Sequence, residues 1–150
     1  MRIVIQRVSE ASVTINNAVH ASIGKGFLIL VGIENADNEE DAEWLASKVA
    51  GLRIFDDENG VMNRSVVEVN GELLIISQFT LHALTKKGNR PSYIRAAGHE
   101  KAVPLYELFC KKVSEKTGIE VKTGIFAADM KVALVNDGPV TILIDSKNKE

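Results

Sequence analysis

Apolar residues in the first third of the chain fall in short runs, rich in β-branched side chains, that polar residues separate. The pattern predicts strands over residues 2–8, 12–15 and 18–23. Asn16 and Asn17 are expected to form the turn between the second and third of these strands, since asparagine tolerates a left-handed backbone. The run 27–31 is apolar at every position, which is typical of a strand that is buried on both faces.

Two later stretches repeat their apolar residues at helical spacing. The first is predicted to begin at Asp37, which forms a capping-box pattern with Glu40, and to end near Gly51. The second is predicted over about residues 101–116. We place Pro104 in its first turn, because proline lacks the amide that later helical positions donate.

The remaining apolar stretches of the chain again predict β-strands. Residues 66–69 and 72–79 flank Asn70-Gly71, which is a strong hairpin signal. Shorter strands are predicted at 52–55 and 119–123. Near the carboxyl end, the strands 131–136 and 140–145 are separated by polar residues that predict a tight hairpin turn.

The order of these elements argues for the α+β class, because strands and helices do not alternate as βαβ units require. The chain has 150 residues, of which 45% are hydrophobic and 25% charged, and these values are ordinary for one globular domain. We expect a single domain over residues 1–145. The polar residues 146–150 are expected to form a flexible tail.

Composition also limits the function. The formal net charge of −2 provides no general basic field, so a nucleic-acid partner would need a local basic patch. The single cysteine, Cys110, cannot form an internal disulfide, and no apolar run has the length of a signal peptide or membrane span, so we expect a cytoplasmic protein. The histidines are far apart and no nucleotide-binding fingerprint is present, so we expect no metal and no cofactor.

Three segments are candidates for chemistry. Ser77-Gln78-Phe79-Thr80 follows a buried apolar strand, where polar side chains are costly unless they are paired; a strand end that meets solvent is an equal interpretation. Asn136-Asp137-Gly138-Pro139 could be a simple turn, although an X-Pro bond is the one peptide bond that is cis at modest cost. The cation-rich loop 86–95 could bind phosphates or be a solvated loop.

Taken together, these segments resemble the D-aminoacyl-tRNA deacylase family over nearly the whole chain. The pair of motifs Ser-Gln-Phe-Thr and Asn-x-Gly-Pro-Val-Thr, in this order, is highly specific. The other runs that carry the resemblance are Gln6-Arg7-Val8, Leu52-Arg53-Ile54-Phe55, Met62-Asn63, Arg90-Pro91-Ser92 and Thr123-Gly124.

The resemblance implies a mixed, strongly curved, barrel-like sheet with two main helices, and a homodimer whose active site lies at the subunit interface. It implies hydrolysis of the ester bond of D-aminoacyl-tRNA, releasing D-amino acid and free tRNA, with L-amino acids excluded. Since glycine has no side chain to exclude, glycyl-tRNA is an expected further substrate. An aminoacyl ester is already activated, so hydrolysis needs positioning and oxyanion stabilisation more than a strong base.

The resemblance also assigns the site. The residues it implies in the catalytic pocket are Ser77, Gln78, Phe79 and Thr80. No base lies at a recognisable spacing from Thr80, so we favour a positioning role over a nucleophilic one. The Gly138-Pro139 bond would be cis and would reach into the other subunit's pocket, where main-chain carbonyls would bind the ammonium group and an L side chain would collide.

The remaining contacts concern the tRNA itself. Phe126 and Met130 match family positions near the terminal adenosine, and Lys86, Lys87 and Arg90 are the expected tRNA-binding residues. The family commonly has glycine where this chain has Ala127, which adds a methyl group near that pocket. Two alternatives stay open, namely a non-catalytic RNA- or nucleotide-binding dimer of the same fold and a general esterase that uses Ser77 or Thr80.

Overall fold

The computed structural model describes all 150 residues and contains eight strands, two α-helices and one 3₁₀ helix. The strands are β1 (Arg2–Ile15), β2 (Ala18–Ile23), β3 (Gly26–Gly32), β4 (Arg53–Asp56), β5 (Met62–Ser65), β6 (Glu72–Ser77), β7 (Val121–Thr123) and β8 (Lys131–Asp145). The helices are α1 (Glu39–Gly51), α2 (His99–Thr117) and the 3₁₀ helix Phe79–His82. Neither α-helix is long and apolar enough to cross a bilayer.

The strands form one mixed sheet of six and one separate antiparallel pair, β4 and β5. The sheet has the order β2-β1-β3-β6-β7, and β8 pairs with β1 outside this path. β6 runs parallel to both β3 and β7, and the other pairs are antiparallel. The sheet curves until its ends approach, and Lys122 Nζ of β7 donates to the carbonyl of Ser22 in β2 at 2.8 Å. The predicted α+β class with a mixed, strongly curved sheet is confirmed.

The central strand β3 divides the core into two parts. Phe27, Ile29 and Val31 point to the side that α1 and α2 cover. Leu28 points to the concave side, where a smaller cluster of buried residues fills the inside of the curve. The prediction that this strand is buried on both faces is therefore confirmed, and the period-two alternation of side chains is the reason.

The hairpin predicted around Asn70-Gly71 is wrong. Asn70 does adopt a positive φ of 50°, and the amide of Gly71 closes a turn onto the carbonyl of Val66 at 2.9 Å. However, residues 66–69 are not a strand, and β6 pairs with β3 and β7 instead. The apolar run 73–76 is buried on both faces between two parallel strands, which removes more apolar surface from water than a two-stranded hairpin with the short segment 66–69 would.

The hairpin predicted near the carboxyl end is also wrong, because β8 is one continuous strand. β1 is long enough to pair with both halves of β8, from Thr14 with Lys131 to Arg2 with Asp145. The register skips between the pairs Val8–Asn136 and Gln6–Thr141, so the four residues 137–140 lie opposite the single residue Arg7. The motif that looked like a turn is a large bulge within a strand.

The predicted ends of both helices need correction. Asn38, not Asp37, caps α1: its side chain accepts from the amide of Glu40 at 2.9 Å, and Asp41 completes the capping box. Asp37 is buried and accepts from the amide of Glu34 at 2.8 Å.

Helix α2 begins at His99, so Pro104 lies in its second turn rather than in its first. Proline there leaves the carbonyl of Glu100 without a helical donor. Both residues are exposed, so water can satisfy that carbonyl and the helix continues.

The residues after β8, predicted as a tail, contact the body of the protein at several points. The amide of Ser146 donates to the carbonyl of Met1 at 2.9 Å. Lys147 Nζ donates to the carboxylate of Asp41 in α1 at 2.8 Å. Ser146 is buried, and the ion pair between Lys147 and Asp41 places the end of the chain against the start of α1.

Candidate functional site

A cavity of about 580 Å³ lies between the end of β6, the start of α2 and the segment 125–130. Most of its lining is apolar, and this size and character are typical of a small-ligand site. The polar side chains in its wall are Ser77, Gln78, His99 and Asp129. Of the residues predicted for the site, the cavity brings together Ser77, Gln78, Phe79, Phe126 and Met130.

One wall of the cavity is built by the end of β6 and the 3₁₀ helix. The amide of Gln78 donates to the carbonyl of Val31 at 2.8 Å, which continues the pairing with β3 for one residue beyond the strand. The first hydrogen bond inside the 3₁₀ helix is donated by Leu81 to the carbonyl of Gln78 at 3.3 Å. The amides of Phe79 and Thr80 precede that bond, so they have no acceptor within the helix.

The 3₁₀ helix lies unusually close to β3, and Gly32 permits this approach. A Cβ atom at Gly32 would lie 2.8 Å from Leu81 Cβ and 3.1 Å from the carbonyl oxygen of Gln78. Glycine is therefore the residue that lets β3 support the helix that follows Ser77.

His82, at the end of the 3₁₀ helix, is buried and is not a catalytic base. Neither of its ring nitrogens has a hydrogen-bond partner, so it forms no hydrogen bond with Ser77 or with an aspartate. Burial is the main reason that the pKa of His82 is lowered, with Glu34 opposing it, so the ring is neutral near pH 7. Burial also raises the pKa of Cys110 to about 12, so this thiol stays protonated.

The opposite wall of the cavity is the loop that carries Phe126 and Met130. The amide of Ala128 donates to the carbonyl of Ile125 at 3.1 Å, which closes a turn around Phe126 and Ala127. Ala127 has a φ of 63°, in the left-handed region where glycine is favoured. Gly124 has no side chain, and a Cβ there would collide with the sulfur of Met130, so this glycine gives Met130 its place in the wall.

Thr80 is next to the cavity but does not line it. Its hydroxyl accepts a hydrogen bond from the side-chain amide of Gln78. The residue faces a separate groove formed with Leu81 and the final residues of β8, including Leu143. No carboxylate, histidine or lysine forms a hydrogen bond with the Thr80 hydroxyl.

The Gly138–Pro139 peptide bond is cis, and it lies in the bulge of β8, exposed and outside the cavity of its own chain. Asn136 closes the base of the bulge: its side-chain oxygen accepts from the amide of Val140 at 2.8 Å, and its nitrogen donates to the carbonyl of Val140 at 3.1 Å. This amide side chain replaces the strand partner that the bulge lacks.

Arg7 holds the bulge from the β1 side. Its side chain is only 9% exposed. Its Nε donates to the carbonyl of Asp137 and one terminal nitrogen donates to the carbonyl of Ile54, both at 2.7 Å. No pattern in the sequence assigns Arg7 a role of its own, although an arginine between the β-branched residues Ile5 and Val8 is a signal of a buried charge that needs a partner.

The cation-rich loop lies beside the 3₁₀ helix. Lys86, Lys87 and Arg90 are exposed and form no ion pair, whereas Arg95 pairs with the buried carboxylate of Glu34 at 2.6 Å. The loop is pinned where Leu84 and Ser92 exchange two backbone hydrogen bonds, at 2.8 and 3.0 Å. Three of the four cations of this loop are therefore free to contact a ligand.

Comparison with known proteins identifies a family. A family model described as D-Tyr-tRNA(Tyr) deacylase matches residues 4–145. Proteins named D-aminoacyl-tRNA deacylase from Bacteroides thetaiotaomicron, Phocaeicola vulgatus and Flavobacterium psychrophilum are 67%, 66% and 63% identical to this chain, over the full length of each.

Two solved structures are similar in fold. One, titled c-Myc DNA Unwinding Element Binding Protein, is 37% identical, with a TM-score of 0.91, and the match covers 97% of this chain and 98% of that chain. The other, a probable eukaryotic D-amino acid tRNA deacylase, has a TM-score of 0.81 over 95% of this chain and 97% of its own. At 16% identity, this second likeness shows a shared fold only.

We predict that Gly32→Ala destabilises the protein by about 1–3 kcal/mol, the usual cost of overpacking, because the new methyl group displaces the 3₁₀ helix. Urea unfolding measures the change. Gly51→Ala is the control, since nothing lies within 4 Å of a Cβ at that helical position. Equal unfolding midpoints for the Gly32 variant and the unchanged protein would show that the 3₁₀ helix does not depend on this glycine.

Proposed function

Because the chain belongs to the D-Tyr-tRNA(Tyr) deacylase family, we propose that it hydrolyses the ester bond between a D-amino acid and the terminal ribose of tRNA. The products are the D-amino acid and free tRNA. The observation that carries this proposal is the cavity itself, which has Ser77, Gln78 and Phe79 on one wall and an apolar surface for a nucleobase on the other. No cofactor takes part in the reaction proposed.

The backbone of the 3₁₀ helix supplies the chemistry. The ester carbonyl lies beside the amides of Phe79 and Thr80, which have no acceptor within the helix. Attack by water places negative charge on the carbonyl oxygen, and fixed amide donors stabilise that charge at no cost of reorganisation. Because the ester is already activated, this stabilisation and correct positioning replace a strong base. The isolation of His82 and the protonated state of Cys110 support such a mechanism.

Thr80 acts in this proposal by positioning rather than by attack. Its hydroxyl is bonded to Gln78, and no basic side chain is bonded to it to remove its proton. The pair Gln78–Thr80 instead stiffens the segment that carries the two free amides. Ser77 and Phe79 complete the pocket wall on either side of Gln78.

The apolar half of the cavity accepts the terminal adenosine. Phe126 offers a ring and Met130 a polarisable thioether, and both pack well against the face of a base. The rest of the acceptor end runs past Lys86, Lys87 and Arg90, whose free charges provide the local basic patch that a chain of net charge −2 needs to hold phosphates.

A second copy of the chain completes the site. Strand β8 is paired on one edge only, and Leu143 on it is 66% exposed. Phe79, in the wall of the cavity, is 54% exposed. Such apolar surface around an unpaired strand edge favours association with another chain. In the homodimer that we propose, the bulge of one subunit covers the cavity of the other.

The bulge then selects the configuration at Cα. Main-chain carbonyls near Gly138 and Pro139 accept hydrogen bonds from the substrate ammonium group, and an L side chain collides with the same backbone. Arg7 and Asn136 hold this backbone in place through the carbonyls of Asp137 and Val140. Selection by exclusion accepts every D-amino acid, because it recognises no particular side chain. It does not reject glycine, which has no side chain to collide.

A nucleic-acid-binding dimer without turnover is the second candidate. The relative with 37% identity that is titled as a DNA-element binding protein favours it. A general esterase is less well supported, since no histidine forms a hydrogen bond with the hydroxyl of Ser77 or Thr80.

One assay tests these functions. We expect purified protein to release amino acid from D-tyrosyl-tRNA and from glycyl-tRNA and to spare L-tyrosyl-tRNA, with ester loss followed by acid-precipitable label. Binding of all three without hydrolysis would favour the binding protein, and hydrolysis of the L form would favour the esterase. Protection of glycyl-tRNA would contradict selection by steric exclusion alone.

We predict that Thr80→Ala keeps kcat/KM for D-tyrosyl-tRNA within about tenfold of the unchanged protein, which is the size of one lost hydrogen bond. The matched variant Thr80→Ser retains the hydroxyl. If Thr80 were the nucleophile, alanine would abolish hydrolysis and serine would restore part of it, because loss of an attacking group costs on the order of 10⁴ or more. Circular dichroism checks that both variants are folded.

We predict that Leu143→Arg weakens self-association by at least about tenfold, because a charge replaces apolar surface at the unpaired edge of β8. Sedimentation equilibrium measures the monomer–dimer constant, and deacylation should fall in parallel. Val19→Arg is the control, since this residue is 65% exposed on β2, which lies on the opposite side of β1 from β8. A monomeric yet fully active Leu143 variant would exclude a shared active site.

A further inference from the structure

The ring of Phe126 stands between two other aromatic rings, both of which meet it edge to face. His99 lies on one side, with ring centroids 5.0 Å apart and an angle of 86° between the planes. Tyr106 lies on the other, at 5.9 Å and 61°. Edge-to-face pairs are favoured because the positive edge of one ring meets the negative face of the next.

The two neighbours of Phe126 are held in different ways. Tyr106 is buried in α2, and its hydroxyl donates to the carbonyl of Ile75 in β6 at 2.8 Å. His99 is the first residue of the same helix, and its exposed imidazole forms no hydrogen bond or ion pair. Helix α2 therefore sets the spacing of the two rings, and Phe126 occupies the space between them.

Phe126 itself has little backbone support. Its loop contains no strand or helix, and the single turn from Ile125 to Ala128 includes a left-handed Ala127. The orientation of the Phe126 ring therefore depends on side-chain contacts, and His99, which also lines the cavity, provides one of these contacts.

We propose that His99 is a positioning residue for the nucleobase of the substrate, acting through Phe126 by edge-to-face packing. The inference rests on the proposed function, since the base concerned is the terminal adenosine of the tRNA. The imidazole limits rotation of the Phe126 ring toward solvent and so fixes the orientation in which that ring meets the base. His99 contributes by its aromatic shape, not by its nitrogens.

The test compares three variants of His99 in the full chain. His99→Phe keeps an aromatic edge and loses the nitrogens, His99→Gln keeps a polar group and loses the ring, and His99→Ala loses both. Calorimetry measures the binding of AMP, and steady-state deacylation of D-tyrosyl-tRNA measures KM and kcat. Thermal unfolding checks that the exposed substitution leaves the fold intact.

We expect His99→Ala and His99→Gln to weaken AMP binding about three- to tenfold, the size of one aromatic pair, while His99→Phe binds like the unchanged protein. KM for D-tyrosyl-tRNA should rise by the same factor and kcat should stay within about twofold, because the base is bound equally in the ground and transition states. If His99 only stabilised the fold, KM would not depend on whether residue 99 is aromatic while kcat stayed constant.

Other outcomes separate the inference from the proposed function. If glutamine preserves AMP affinity and phenylalanine does not, His99 acts through hydrogen bonding and the packing role is wrong. Equal AMP affinity and equal KM in all variants, or no AMP binding by the unchanged protein, would also overturn it. If the histidine and phenylalanine forms bind AMP more tightly than the alanine and glutamine forms but no aminoacyl-tRNA is hydrolysed, the base-positioning role stands and the deacylase function fails.

Discussion

The ladder between the first and last strands of the sheet is the interaction on which the rest of the site depends. β8 pairs with β1 along nearly its whole length; the register shifts between Val8 and Glu10 and, more widely, at Arg7. A buried guanidinium there must have acceptors, because an unpaired charge away from water is very costly. It finds them in the main-chain carbonyls of Asp137 and Ile54. The shape of the bulge is thus set by satisfying one buried cation.

The second constraint is the close approach of β3 and the 3₁₀ helix. Gly32 leaves room for the segment after Ser77, and the Gln78 amide uses the next free carbonyl of β3. The end of β6, which β3 supports, thereby passes from the apolar core into the polar wall of the cavity. Backbone groups, rather than reactive side chains, are what this arrangement presents to a ligand. A chemistry that relies on fixed amides fits such a site.

The acidic chain and its polyanionic substrate are compatible because charge is distributed locally. The ion pair with Glu34 neutralises Arg95 and attaches the loop to the body of the protein. Lys86, Lys87 and Arg90 form no ion pair and are exposed to solvent. The loop also touches the site, since Tyr93 packs edge to face with Phe79 at 5.0 Å. A basic loop that contacts the cavity wall can align a nucleic-acid end without a basic surface elsewhere.

Local sequence determined much of this protein. Apolar periodicity was enough for β2, for the doubly buried β3 and for the existence of both helices, because period and burial are properties of neighbouring residues. The two motifs and the resemblance that they carry also located Ser77, Gln78, Phe79, Phe126 and Met130, which the structure brings into one cavity. These residues lie on two short segments, so sequence proximity already grouped them.

Only the tertiary structure decided the remaining features. Strand partners depend on distant residues, so neither the parallel pairing of β6 nor the bulge in β8 could be read from Asn70-Gly71 or Gly138-Pro139. The direction in which Thr80 faces depends on the 3₁₀ helix that contains it and on how that helix packs against the rest of the fold. The contact of His99 with Phe126 joins positions that no local pattern relates. Each of these features arises from contacts between segments far apart in the chain, and a one-dimensional pattern does not contain them.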